Sequence, residues 1–216
     1  MKVLERRDLR ALLKINGEGE MGPRNQAAIA CASLWGVTAS ELSLLEIGHV
    51  INPNGRLKKK WELPDSVAFN RHARALFTEH PRLVEILDTY SNWRVDRGWG
   101  IKEHSRFRGL DPKSKLLLDD RGQAFSFSTR TADRSQGKQP TGVNQLFRKL
   151  ITSAGLDDVT YGTFRKSFMI HLKRAGLTIR NIMAVTGIRD YESVSKVVRA
   201  DPMTVADAIG GLYEKL

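Results

Sequence analysis

Residues 160–198 read TYGTFRKSFMIHLKRAGLTIRNIMAVTGIRDYESVSKVV, and their pattern sets the fold expected for the rest of the chain. In the first part Phe164, Phe168, Met169 and Leu172 recur at helical spacing, with Thr163 placed to cap and Gly176 to stop the helix. The other face of this helix carries Arg165, Lys166, His171, Lys173 and Arg174. A second helix starts at Thr178, turns Ile179, Ile182, Met183 and Val185 inward, and ends at Gly187. A third amphipathic piece places Val194, Val197 and Val198 inside and Arg189, Lys196 and Arg199 outside. Three short basic helices joined by glycine turns predict a surface that faces DNA.

Composition agrees with that expectation. The chain has 216 residues, 41% hydrophobic and 27% charged, ordinary for a globular protein with a real core. A net charge of +11 and a pI of about 10.0 favour a polyanionic partner, nucleic acid before an anionic membrane surface. No apolar run reaches the ~20 residues that span a bilayer. The N-terminal MKVLERRDLR has no apolar signal core. Cys31 is the only cysteine, which excludes an internal disulfide and fits a reducing cytoplasm. Its setting, AAIACASLW, reads as a buried small hydrophobe. The five histidines lack ligand spacing, and no phosphate-binding glycine loop is present, so no metal or cofactor is expected.

In chain order, residues 5–15 form a basic amphipathic helix with Leu9, Leu12 and Leu13 inward, and 16–23 a glycine-rich loop. Residues 24–35 make a strongly apolar helix closed by Gly36, and 38–47 begin another, with Ser40 and Glu41 in its first turn. Residues 50–78 read as a small antiparallel sheet, with strands over 57–63 and 73–78 around the turn DSVAFNR. Residues 81–93 are helical through Leu83, Ile86, Leu87 and Tyr90. The segment 94–115 is the least ordered in pattern and mixes Arg94, Arg97, Arg106 and Arg108 with Trp99 and Phe107. It reads equally as a nucleic-acid contact or as a solvated insertion. Strand, turn, strand is expected over 116–128, and a polar loop with Arg130, Arg134 and Lys138 over 129–141. Residues 143–154 form a clear helix, and 202–215 a last one striped by Val205, Ile209, Leu212 and Tyr213.

The order of these pieces resembles the catalytic domain of tyrosine recombinases, the phage integrase family. Gly162-Thr163-Phe164-Arg165 sits on that family's His-x-x-Arg. Ile170-His171-Leu172 with Ala175-Gly176 sits on the following helix, and Thr186-Gly187-Ile188 on the Leu-Gly-His turn. Upstream, Thr38-Ala39-Ser40-Glu41-Leu42 sits on the Arg-x-Ser-Glu-Leu segment. The resemblance implies a mainly α fold with a small antiparallel β-sheet (α+β), one domain over 1–216 without the N-terminal core-binding domain. It also implies a basic insertion near 94–115 and a C-terminal helix at 202–215 that links protomers.

The family's chemistry is an attack by a tyrosine hydroxyl on a DNA phosphate, aided by arginines and a histidine. Of the family's catalytic positions, occupied here by Thr38, Gly162, Arg165, Ile188 and Val197, only Arg165 keeps its residue type. The turn that carries a lysine in the family holds none, and Lys58, Lys59 and Lys60 fall within the strand. Tyr191 and Tyr213 are the nearest tyrosines, and both read as structural. No residue is therefore assigned a catalytic role. Arg165, Lys166, Arg180, Arg189, Lys196, Lys58, Lys59, Lys60, Lys138 and Arg148 are the expected DNA contacts.

The expected function is a non-enzymatic, DNA-binding accessory or regulatory factor of a mobile element or of partner recombinases, cytoplasmic and nucleoid-associated. It would act on double-stranded DNA and associate with those recombinases, or with itself through the C-terminal helix, with no role at a membrane. Two alternatives stand beside it. One is an active recombinase with a displaced nucleophile or one completed by a partner. The other is a transcriptional repressor using residues 178–199 as a helix-turn-helix.

Overall fold

A computed structural model describes residues 2–103, 106–132, 135–201 and 203. Helix α1 (Arg6–Ile15) opens with Glu5 N–H donating to the Asp8 carboxylate at 2.9 Å. Helix α2 (Gly22–Trp35) follows, then two short helices, α3 (Ala39–Leu44) and α4 (Ile47–Val50). Strands β1 (Lys60–Leu63) and β2 (Arg74–Phe77) form an antiparallel hairpin in the register Lys60 opposite Phe77 and Leu63 opposite Arg74. Helix α5 (Pro81–Asp96) leads through a turn at Arg106–Gly109, where Phe107 and Arg108 are left-handed, to strands β3 (Ser128–Ala132) and β4 (Ser135–Gln139), a second antiparallel pair. Helices α6 (Thr141–Ser153), α7 (Tyr161–Arg174), α8 (Ile179–Thr186) and α9 (Tyr191–Arg199) complete the described chain. The class is the expected one, mainly α with small antiparallel sheets.

Helix α2 is the axle. It is apolar on nearly every side, as a central helix must be, and packs against α1, α5 and α7. Around it lies one large core running from Leu4 to Phe164. Trp35 meets Trp61 of β1 edge-on at 5.1 Å, and Phe147 of α6 meets Phe164 of α7 edge-on at 5.2 Å. Cys31 is fully buried there, and burial raises its thiol pKa, so it packs as the small hydrophobe expected. A second, smaller core joins Met169, Ile182 and Val194, with Leu172, Ile188, Val197 and Val198 packed on it. Helix α7 touches both cores, through Phe164 on one and Met169 on the other.

Several local expectations are corrected. The cap of α7 is Thr160, not Thr163. Thr163 is the third helical residue, and its hydroxyl accepts from Thr160 N–H at 3.0 Å. Residues 38–47 split into α3 and α4 because Leu45 leaves the helical region. Residues 116–128 hold one bridge, Leu118 opposite Ala124, rather than two strands. The stretch read as a polar loop over 129–141 contains the hairpin β3–β4, paired through its backbone without an apolar alternation to announce it. The segment after α5 is organised by Arg94, which is 0% exposed. Its guanidinium donates to the carbonyls of Trp99, Lys115 and Leu116 and to the Ser114 hydroxyl. Arg134 and the stripe Val205, Ile209, Leu212 and Tyr213 lie outside the described residues.

Candidate functional site

Thr38, Glu41 and Arg165 come together where α3, α7 and the end of α8 meet the loop between β1 and β2. Thr38 caps α3: its hydroxyl accepts from Glu41 N–H at 3.2 Å, and its own N–H donates to Glu41 Oε2 at 2.7 Å. A threonine here serves the helix end and brings no charge. The charge comes from elsewhere. Arg74 of β2 reaches the same carboxylate, with Nη1 on Oε1 at 2.6 Å and Nη2 on Oε2 at 2.9 Å. The Glu41 side chain is 0% exposed and that of Arg74 4%, so the fork is shielded from water.

Arg165 lies on the other side of the same carboxylate, 3.7 Å from Glu41 Oε2. Its Nη1 donates to the Gly36 carbonyl at 2.8 Å and its Nη2 to the Thr186 carbonyl at 2.6 Å. Gly36 ends α2 in the left-handed region, φ 59°, and a Cβ there would stand 2.2 Å from the Phe168 ring. Only glycine lets the α2 terminus approach α7 closely enough to receive Arg165. Burial pulls the Arg165 pKa down to about 10, with Glu41 opposing that pull, so the guanidinium is still charged at neutral pH. Burial alone would push the Glu41 carboxyl up. The hydrogen bonds and charge of Arg74, with the N–H groups of Thr38 and Phe69, hold it below the usual carboxylate value.

The last turn of α8 shows where these groups act. Arg74 Nε donates to Val185 O at 3.0 Å, Arg165 Nη2 to Thr186 O, and Asn70 Nδ2 to Gly187 O at 2.6 Å. Three successive carbonyls at a helix C-terminus thus receive donors from β2, from α7 and from the β1–β2 turn. Two of those donors are cations, the sign the helix end prefers. Gly187 closes the helix at φ 73°. Phe69 of the same turn sits on the Arg165 guanidinium, 4.9 Å from charge to ring centre.

Gly162, Ile188 and Val197, the other positions compared with the family pattern, carry no titratable or nucleophilic side chain. Ile188 and Val197 pack in the smaller core beside Ile182 and Val194. Gly162 lies exposed in the first turn of α7. Tyr191 is the first residue of α9 and is 49% exposed, while Tyr213 lies outside the described residues. Tyr161 is close to the centre, its phenol donating to Val37 O at 3.1 Å. Burial and the nearby Glu41 charge hold that phenol protonated well above its ordinary pKa, which is the reverse of nucleophile activation.

Of the expected DNA contacts, Lys166, Arg180, Arg189, Lys196, Lys59, Lys60, Lys138 and Arg148 are exposed. Lys58 is half-buried and donates to Gly48 O at 2.7 Å, which takes its ammonium away from an outer surface. Arg165 is an internal strut in the structure, engaged on backbone carbonyls. Arg74 was missed by sequence reasoning, and no local pattern announces a buried arginine at a strand end. Among the described residues there is no group of three or more His, Cys, Asp or Glu side chains able to hold a metal, and no helix long and apolar enough to cross a membrane.

No family model matches the sequence, and no curated protein matches it. Solved structures do match in shape. XerA recombinase superposes with a TM-score of 0.68 at 16% identity, over 100% of this chain and 63% of that one. XerH site-specific recombinase, bound to its palindromic difH substrate in a post-cleavage complex, gives 0.64 at 15%, over 96% and 52%. The Tn1549 transposon integrase in complex with a circular intermediate DNA gives 0.64 at 13%, over 100% and 66%. The chain therefore spans between about half and two thirds of the proteins it resembles. In overall shape the chain has a tyrosine-recombinase-like fold.

Proposed function

We propose that this chain binds double-stranded DNA without cleaving it, as an accessory or regulatory factor for a mobile element or for partner recombinases. The observation that carries the reading is the state of the converging centre. Arg165 is engaged on the Gly36 and Thr186 carbonyls, and Val197, which the resemblance sets at the nucleophile's place, packs against apolar neighbours. Strand cleavage needs a hydroxyl in line with a phosphate and donors aimed at the developing charge. Val197 and Ile188 supply neither, and the nearby Tyr161 phenol is half-buried and hydrogen-bonded to a carbonyl. DNA binding is supported by the net charge of +11, by the exposed cations on α7, α8 and α9, and by the fold shared with recombinases solved on DNA.

Two measurements test the two halves separately. Binding to duplex DNA at a series of salt concentrations should weaken steeply, because each phosphate neutralised releases a counterion. A flat salt response refutes the DNA reading. Nicked suicide duplexes, built from fragments the protein selects out of genomic DNA, trap any covalent intermediate. We expect none. An adduct that Tyr191→Phe abolishes would establish a displaced nucleophile and refute the loss of chemistry.

A further inference from the structure

The turn between β1 and β2 presents a side chain that neither the core nor the converging centre explains. Phe69 is 47% exposed, although one face of its ring rests on the Arg165 guanidinium. The ring is not isolated, because Phe127 lines the same open groove. The turn is also rigid. Phe69 N–H donates to Glu41 Oε1 at 3.1 Å, Asn70 ties to Gly187 O, and Arg71 N–H donates to Ala68 O at 2.9 Å. Arg71 itself adopts a left-handed backbone, φ 56°, which a non-glycine residue takes only when its surroundings hold it there.

Beside this ring runs an open groove of about 1000 Å³, between the turn and the end of β4. Phe69, Phe127 and Val67 line it, with Arg71 and Lys138 as cations and Asp65 as the single acidic residue of the lining. Two positive charges against one negative leave the groove net positive. Aromatic surface beside cations suits a nucleobase with its phosphate, the combination by which proteins take unstacked bases. The guanidinium behind Phe69 fixes the ring in place, so little ordering is needed when a base stacks on it.

We infer that this groove receives one unpaired base of bound DNA, stacked on Phe69, with Arg71 and Lys138 on the flanking phosphates. The inference rests on the DNA-binding reading above and narrows it to duplexes that carry an extrahelical base. Perfectly paired duplex would bind through the exposed cations alone.

The test compares two duplexes of one sequence, one fully paired and one with a single unpaired 2-aminopurine. We expect the wild-type chain to bind the bulged duplex about 5- to 150-fold more tightly, the range a single base–aromatic stack supplies, and to change the 2-aminopurine fluorescence on binding. Phe69→Ala and Phe69→Leu should lose that preference and the fluorescence change while still binding the paired duplex as wild type. Phe69→Trp should keep both. Equal binding of the two duplexes by the wild type, or a preference that survives in Phe69→Ala, overturns the inference and leaves the DNA reading standing. A chain that binds neither duplex refutes both. Displacement of the bulged duplex by free dAMP at comparable concentration would assign the groove to a mononucleotide and overturn it as well.

Discussion

Glu41→Gln is the most searching perturbation of the converging centre. The carboxylate accepts four hydrogen bonds: two from Arg74, one from Thr38 N–H and one from Phe69 N–H. It also contacts two largely enclosed guanidiniums, those of Arg74 and Arg165. A glutamine of the same shape keeps one acceptor oxygen and turns an NH₂ group toward donors. It also leaves Arg74 and Arg165 facing each other uncompensated. Removing one partner of a buried ion pair costs about 3–5 kcal/mol. For a chain of this size each kcal/mol moves the midpoint by about 2–4 °C, so the melting temperature should fall by roughly 6–20 °C. Differential scanning calorimetry of the two proteins at neutral pH measures it. Combining Glu41→Leu with Arg74→Met removes both charges together and should cost less than the two single changes added. A Glu41→Gln melting temperature within about 2 °C of wild type would refute the view that this carboxylate holds the centre together, since the expected loss is several-fold larger.

Acidification should show the same group. Glu41 has a folded pKa below the ordinary 4.5, so its contribution is complete above that value and is lost as pH falls through the folded pKa. The stability gap between wild type and Glu41→Gln, read from urea melts, should therefore narrow only below about pH 4.5. Arg94→Met should free three carbonyls of the segment after α5 and lower stability by about 3 kcal/mol or more, with limited proteolysis cutting first between Arg97 and Leu118. Val197→Tyr restores a hydroxyl at one position, yet should form no covalent DNA adduct on nicked duplexes, because Ile188, Gly162 and Thr38 still leave the developing charge without donors.

Much of the fold is legible in the sequence because helices α1, α6 and α8 carry strong apolar periodicity, α2 is a continuous apolar run and the β1–β2 hairpin alternates cleanly. Thr178 and Gly187 work as read, since cap and stop residues act through neighbours within four positions. Thr163 misleads because Thr160 three residues earlier is an equally good cap, and only the backbone dihedral separates them. β3–β4 is silent because its residues are polar and its pairing rests on backbone hydrogen bonds. The harder failure concerns arginine. Composition assigns charge to the surface, yet Arg24, Arg74 and Arg94 are 3%, 7% and 0% exposed. The acidic partner of Arg74, Glu41, is 33 residues away, and Arg24 reaches Leu118 O, 94 residues on, so no local window contains these contacts. That Thr38, Ile188 and Val197 carry no phenol, imidazole or guanidinium is read from residue type alone.

The three donors on the last turn of α8 have a mechanical consequence. The smaller core is thin, with three buried side chains at its centre, so α8 and α9 have little apolar surface of their own to resist opening. Arg74, Arg165 and Asn70 therefore act as guy-lines from the main body to carbonyls 185, 186 and 187. Whatever draws on any one of them slackens the hold on the C-terminal helices. In native-state hydrogen exchange this predicts that the amides of α8 and α9 open together, at lower free energy than those of α2. Events at the β1–β2 turn would then be felt at the far end of the chain as a change in how often that unit opens.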